Sequence, residues 1–133
     1  MAYLLDTNAC IRLINPAPSP VKTRLLSIPA TEINLCSVVY TELCYGAYKS
    51  QQTDRNRQLV EQFFQPFTSL PFDNIAGNLA GRIRAELEFQ GTPIGSNDLL
   101  IAAIAIANDL TLITHNVREF SRIADLRYED WEV

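Results

Sequence analysis

Apolar residues along the chain fall into two patterns: short runs that end abruptly at a polar residue, and longer stretches in which apolar positions return every three or four residues. The first pattern predicts strands and the second predicts helices. Residues 2–5 form an apolar run that stops at Asp6, and Thr7 or Asn8 is placed to cap a helix over about 9–14. Pro16, Pro18 and Pro20 make a rigid connection, and Ser19 with Pro20 opens a second helix reaching 27. A second strand is expected at 33–37. Helices follow over about 38–50, with Val39, Leu43 and Ala47 in steps of four, and 54–65, which Pro66 ends. After a third strand at 68–71, Asp73 caps a long helix whose predicted buried face carries Ile75, Leu79, Ile83 and Leu87. Arg82 with Glu86 and Arg84 with Glu88 mark its wet face, and Gly91 stops it. The run 99–107 is apolar on every side and predicts a buried helix capped by Ser96 or Asn97. A strand at 111–114, a short helix and a last strand at 126–128 complete the chain.

Strands that alternate with more numerous helices predict a helix-rich α/β fold: a central parallel β-sheet flanked by helices, in a single domain over 1–133. Composition agrees, since 47 % of the 133 residues are hydrophobic and 20 % charged, enough to build a core without disulfides or a structural metal. Cys10, Cys36 and Cys44 are odd in number, lack a CxxC spacing and sit among apolar residues. They read as buried thiols in a reducing cytosol, so a cytoplasmic location is expected. Residues 1–5 show no basic region of a signal peptide, and the longest apolar run falls well short of the ~20 residues of a membrane helix.

In parallel sheets, ligands collect beyond the carboxyl ends of the strands. Asp6, Glu42, Asp98 and Glu119 all fall at that predicted edge. Each has a plain reading alone: Asp6 and Asp98 as acids at helix starts, Glu42 and Glu119 as solvated helix residues. Together, four carboxylates would repel one another unless a cation held them, which points to a divalent metal site. Oxygen-only ligands select hard ions, so Mg²⁺ or Mn²⁺ is expected, and with it a phosphate substrate. His115, the only histidine, lacks the partners of a triad or a zinc site and reads as a capping or packing residue at a strand end. Neither GxGxxG nor GxxxxGK[ST] occurs, which argues against Rossmann and P-loop nucleotide binding.

Four ordered segments carry a resemblance: residues 3–8 (Tyr3-Leu4-Leu5-Asp6-Thr7-Asn8), Thr41-Glu42-Leu43 with Tyr45-Gly46, the run from Ile94 through Asp98 to Ala103, and the run from Leu112 through Glu119 to Phe120. In this order they resemble the PIN-domain ribonucleases, and among them the VapC toxins of bacterial toxin–antitoxin pairs, up to the closing Glu129-Asp130-Trp131. The resemblance implies a PIN-like fold and a Mg²⁺-dependent endoribonuclease in which water activated at the metal hydrolyses a phosphodiester. Asp6 and Asp98 would be the principal metal ligands and Glu42 and Glu119 would complete the catalytic pocket. Thr7, Asn8, Thr114 and Asn116 would position water or the ligands. Many PIN domains carry Asp where this chain has Glu119, and the longer side chain implies an outer role there. Likeness through 91–95 and 45–47 to the group that cuts initiator tRNA in its anticodon loop makes tRNA the favoured RNA substrate. It also implies a VapB-like antitoxin partner, a homodimer and a larger toxin–antitoxin assembly, with no membrane.

A net charge of −4 first argues against nucleic acid. Residues 1–90 are balanced, however, and the excess lies later, where Arg118, Arg122 and Arg127 face seven acids. Setting aside the four pocket acids leaves eleven acidic against eleven basic residues, so the charge does not exclude RNA, and RNA affinity should depend on divalent metal. Lys49, Arg55, Arg57, Arg82 and Arg84 are the RNA-binding candidates, although Arg82 and Arg84 also read as a solvated face. Tyr45, Tyr48, Phe63 and Phe64 are candidate dimer contacts or plain core. Two other readings stay open: a Mg²⁺-binding phosphoacceptor signalling module, and a PIN fold kept only for binding RNA or protein. The first wants paired acids after the first strand and a late lysine, whereas Asp6 stands alone and Lys22 and Lys49 come early. Four intact acids count against the second.

Overall fold

The structure of the chain, a computed structural model, describes residues 2–133. Its elements run in the order β1 (Tyr3–Leu5), α1 (Thr7–Ile14), α2 (Pro20–Leu26), a 3-10 turn (Ala30–Glu32), β2 (Ile33–Cys36), α3 (Ser37–Lys49), α4 (Thr53–Phe64), β3 (Thr68–Leu70), α5 (Asn74–Phe89), α6 (Ser96–Ala107), β4 (Thr111–Ile113), α7 (Val117–Phe120) and β5 (Tyr128–Glu129). The five strands form one sheet in the order β3-β2-β1-β4-β5, and every pairing is parallel. β1 is central, with Tyr3 opposite both Ile33 and Thr111.

Chain direction reverses its march across the sheet at β1, since β2 and β3 lie on one side and β4 and β5 on the other. Right-handed crossovers then put α1 to α4 on one face and α5 to α7 on the other. The packing follows: α1 meets α2, α3 and α4, α3 lies along α4, and α5 lies along α6. The two groups also touch where α3 meets α6. Leu4, Leu5, Leu35, Leu112 and Ile113 are sealed in the middle layer, and Ile101 to Ala105 of the flanking helix α6 are buried too, which explains why that helix is apolar all round. Truncating a sealed residue such as Ile104 to Ala would cost about 2–5 kcal/mol. Cys10 and Cys36 are buried free thiols and Cys44 is half-buried. No helix among the described residues is long and apolar enough to cross a membrane.

Three local expectations need correction. Helix α1 starts at Thr7, earlier than the expected start, because its cap is Asp6. The buried face of α5 is Ala76, Ala80, Ile83 and Leu87, whereas Ile75 is 67 % exposed. Strict steps of four advance 400° and drift off a face of period 3.6, while steps of four, three and four stay on it. The helix α6 is capped by Gly95, with neither Ser96 nor Asn97 outside it. The stop at Gly91 is as expected: its φ of 73° is left-handed, and Thr92 N–H donates to Leu87 O (2.9 Å) while Gly91 N–H donates to Glu88 O (3.1 Å).

Candidate active site

Asp6 directly follows β1, is itself extended and is the cap of α1. Its N–H donates to Ile113 O of β4 (3.1 Å), and its Oδ1 accepts the Ala9 N–H (2.8 Å). No loop separates strand from helix, so the carboxyl is fixed by backbone on both sides. The Thr114 hydroxyl also bonds it, and Thr114 Oγ1 accepts the Asn116 N–H (3.0 Å). Asp6 is only 5 % exposed. Burial pushes its pKa up, the bonds from Ala9 and Thr114 pull it back, and the charges of Glu132 and Glu42 add to the rise.

Glu42 lies in the second turn of α3, where its Oε1 accepts a short bond of 2.5 Å from the Thr7 hydroxyl. Asp98 sits in the first turn of α6, leaving the capping to Gly95 and its own carboxyl free to face the cleft. That carboxyl is pushed up to about 7, first by burial, then by a hydrogen bond with Glu119 and by the charges of Glu119, Glu42 and Asp6. Glu119, on α7, is held in turn by Asn116 Nδ2, which donates to its Oε2 (3.0 Å).

The four sequence-predicted acids are therefore linked electrostatically, chiefly through Asp98, at one acidic edge, here called the cleft, at the carboxyl ends of β1, β2 and β4. Thr7, Thr114 and Asn116 each bond one of them. Asn8 does not: it is exposed on the first turn of α1, without a described bond to any of the four. Among the described residues, no three His, Cys, Asp or Glu side chains already converge at metal-ligand distance. The donor set is nonetheless all oxygen, and it is charge-crowded in a way a divalent cation would relieve.

One acid escaped the sequence reading. Glu132 raises the pKa of Asp6 by its charge and pairs with Arg12 Nε (3.2 Å). It follows β5, so the rule that flagged the ends of the earlier strands applies to it too; the last strand was expected at 126–128 and stands at Tyr128–Glu129. His115 neither caps nor packs. It is exposed and its Nδ1 lies 2.9 Å from Asp130 Oδ2, which raises its pKa.

Arg82 pairs with Glu86 (3.9 Å) and Asp125 (3.5 Å), and Arg84 with Glu88 (3.1 Å), which fits the solvated-face reading for both. Phe64 is buried, edge-on to Tyr40 and Phe63, and belongs to the core rather than to an outer contact. Tyr45 and Tyr48 remain exposed.

Comparison with known proteins places this architecture. The profile of the PIN domain family matches residues 3–126. The chain is 40 % identical over 131 residues to a Shigella flexneri protein named tRNA(fMet)-specific endonuclease VapC, covering 98 % of each chain. It is 39 % identical over 133 residues to Ribonuclease VapC2 of Rickettsia felis, covering 99 % of each. Among solved structures it superposes on DNA-bound VapBC from Salmonella typhimurium with a TM-score of 0.91 at 39 % identity, covering 98 % of both chains. With VapBC2 from Rickettsia felis, bound to a promoter DNA fragment, the TM-score is 0.90 at 38 % identity, covering 98 % of this chain and 99 % of the other.

Proposed function

The chain belongs to the PIN-domain family as a VapC-type ribonuclease, and we propose that it is a divalent-metal-dependent endoribonuclease toxin restrained by a small VapB-like antitoxin. The observation that carries this reading is the gathering of Asp6, Glu42, Asp98 and Glu119 at one carboxyl edge of the sheet, with Asp98 the most crowded of them. A carboxyl that keeps its proton up to about 7 beside three other acids lacks a counter-charge, and a divalent cation would supply one. Mg²⁺ or Mn²⁺ fits the oxygen-only set. Such ions are commonly held by one or two carboxylates and several waters, so Asp6 and Asp98 suffice as ligands without a closed cage. When bound, the ion lowers the pKa of water and offsets charge developing on a phosphodiester.

The chain's own residues orient that chemistry. Asp6 gives a fixed point, because its cap and the Thr114 bond leave the carboxyl one geometry. Glu42 is aimed by Thr7, and Glu119 by Asn116, so both acids line the cleft with restricted rotamers. No side-chain nucleophile is needed: the thiols of Cys10 and Cys36 are buried, and His115 turns to Asp130. A water nucleophile forms no 2′,3′-cyclic phosphate, and attack in line with a leaving 3′-oxygen, the outcome the family resemblance implies, gives a 5′-phosphate and a 3′-hydroxyl. The name of the Shigella relative supports tRNA as substrate, with the anticodon loop of initiator tRNA favoured. The VapBC complexes among the structural neighbours support an antitoxin partner, and a homodimer within a larger assembly is expected.

The test is cleavage of a total tRNA pool by the chain freed of any antitoxin. Cutting should require Mg²⁺ or Mn²⁺, stop with a chelator and vanish in Asp98→Asn, and sequencing of the new ends should locate one loop. Failure to cut any RNA with either ion would overturn the proposal.

A further inference from the structure

Most basic side chains of the chain are already committed. Arg12 pairs with Glu132, Arg24 with Glu129, Arg82 and Arg84 with their own helix, and Arg127 with Asp109, while Lys22 donates to the Asn15 carbonyl. Among the described residues, no ion pair holds Arg118 or Arg122, the second of which donates to the Pro93 carbonyl (2.8 Å), nor Lys49, Arg55 or Arg57. Arg55 donates to Gln52 Oε1 (2.9 Å). The other two cations lie over aromatic faces: Lys49 Nζ is 5.6 Å from the centre of the Tyr45 ring, and the Arg57 guanidinium is 5.0 Å from that of Tyr48. Both rings are exposed, at 64 % and 61 %.

We infer that this patch, made by the last turns of α3 and the start of α4, is a docking surface for single-stranded RNA. Unpaired bases would stack on Tyr45 and Tyr48 while Lys49, Arg55 and Arg57 contact the flanking phosphates. The inference rests on the ribonuclease reading above and extends it to how substrate is held. Three features carry it. Exposed rings interleaved with unpaired cations are what a flexible strand requires, since every base has a face to stack and every nucleotide a phosphate. Position agrees, because Glu42, Tyr45 and Lys49 follow one another at i, i+3 and i+7 on α3; at 1.5 Å per residue the patch begins about 5 Å along the helix from a carboxylate of the cleft. Charge also separates RNA from a second copy of the chain. A two-fold contact sets a surface against itself, so three unpaired cations would meet their own images, whereas a polyanion complements them.

Binding of a fluorescently labelled RNA hairpin with an unpaired loop, and of the same stem as a continuous duplex, tests this in an Asp98→Asn background that cannot cut. Tyr45→Leu and Tyr48→Leu should each weaken binding of the looped RNA about tenfold, leave the duplex unaffected and keep the thermal midpoint. Tyr45→Phe, which retains the ring, should bind normally. Lys49→Gln and Arg57→Gln should each flatten the dependence of log affinity on log salt by about 0.7. Unchanged affinity for the looped RNA in the double tyrosine variant overturns the inference, as does an equal loss on the duplex. It is also overturned if light scattering shows that the variant breaks a dimer while each protomer keeps its RNA affinity. A chain with active-site acids intact that cuts RNA equally well with and without both tyrosines sinks this inference alone; a chain that neither binds nor cuts RNA sinks the ribonuclease proposal with it.

Discussion

Asp6 and Asp98 face one cleft, yet the first is buried and bonded by a backbone N–H and a hydroxyl, whereas the second is half-buried and bonded chiefly to another carboxyl. Asp6 is part of how the fold is made: it ends the central strand, caps the helix that follows and is set before any ligand arrives. Asp98 belongs to the fold only through its backbone, in the first turn of α6, where Gly95 does the capping. The contrast divides the labour of the site. One acid supplies geometry, and the other supplies an unmet demand for positive charge.

The largest effects should come from removing the acids themselves. Asp6→Ala, Asp6→Asn, Asp98→Ala and Asp98→Asn should each lower cleavage by roughly 10³-fold or more, the scale of losing a charge-stabilising group. Thermal midpoints should then separate the two positions. Asp6→Ala should melt below Asp6→Asn by the ~1 kcal/mol of a lost cap, because Asn can still accept the Ala9 N–H. Asp98→Ala and Asp98→Asn should melt together. A gap at position 98 as wide as that at position 6 would break the comparison.

Next comes pH. Asp98 titrates at about 7 in the folded chain against 3.8 without its surroundings, so between those values the folded state holds the extra proton and stability falls as pH rises. The metal-free midpoint should therefore drop by a few degrees between pH 5 and pH 8, and Mg²⁺ should flatten the drop. His115, raised above 6.5 by Asp130, adds in the same direction, since its favourable pairing is lost as pH climbs through its folded value. Asp98→Asn should reduce the slope and leave the shares of His115 and of the buried Asp6, whose pKa is raised as well. A slope unchanged in Asp98→Asn would assign the effect elsewhere.

Smaller still is Thr7→Val, which frees Glu42 to rotate. Cleavage should fall about tenfold, in line with the low end reported for partners that orient a ligand, with little change in midpoint. The smallest is His115→Gln, which should leave both rate and midpoint near their starting values, because the histidine is exposed and pairs with Asp130 beside the cleft.

The site was legible in the sequence to the extent that chain order alone decides it. Asp6, Asp98 and Glu119 follow short apolar runs or open helices, and a parallel sheet sends the ends of its strands to one edge. Glu132 is not singled out because the last strand is expected at 126–128, whereas β5 stands at Tyr128–Glu129 and its carboxyl end lies closer to Glu132. The hydrogen bond between Asp98 and Glu119 joins α6 to α7, and no local pattern encodes it. The two readings of Asp6, helix-start acid and site residue, turn out not to exclude each other: one oxygen caps α1 while the carboxyl still interacts with Glu42. Ile75 was misplaced by counting in fours along a helix that turns in 3.6.

The register of the central strand also sets a calendar. Asp6 depends on partners more than a hundred residues further along, since the carbonyl of Ile113 and the hydroxyl of Thr114 that hold it come only with β4. Until then β1 has one neighbour, β2, and its other edge stands open. A nascent chain can bring β1, β2 and β3 together and still have no cleft, because the segment that seats Asp6 is unmade. Seating of Asp6 therefore waits on β4: a chain folded only through β3 carries the acid without the partners that orient it.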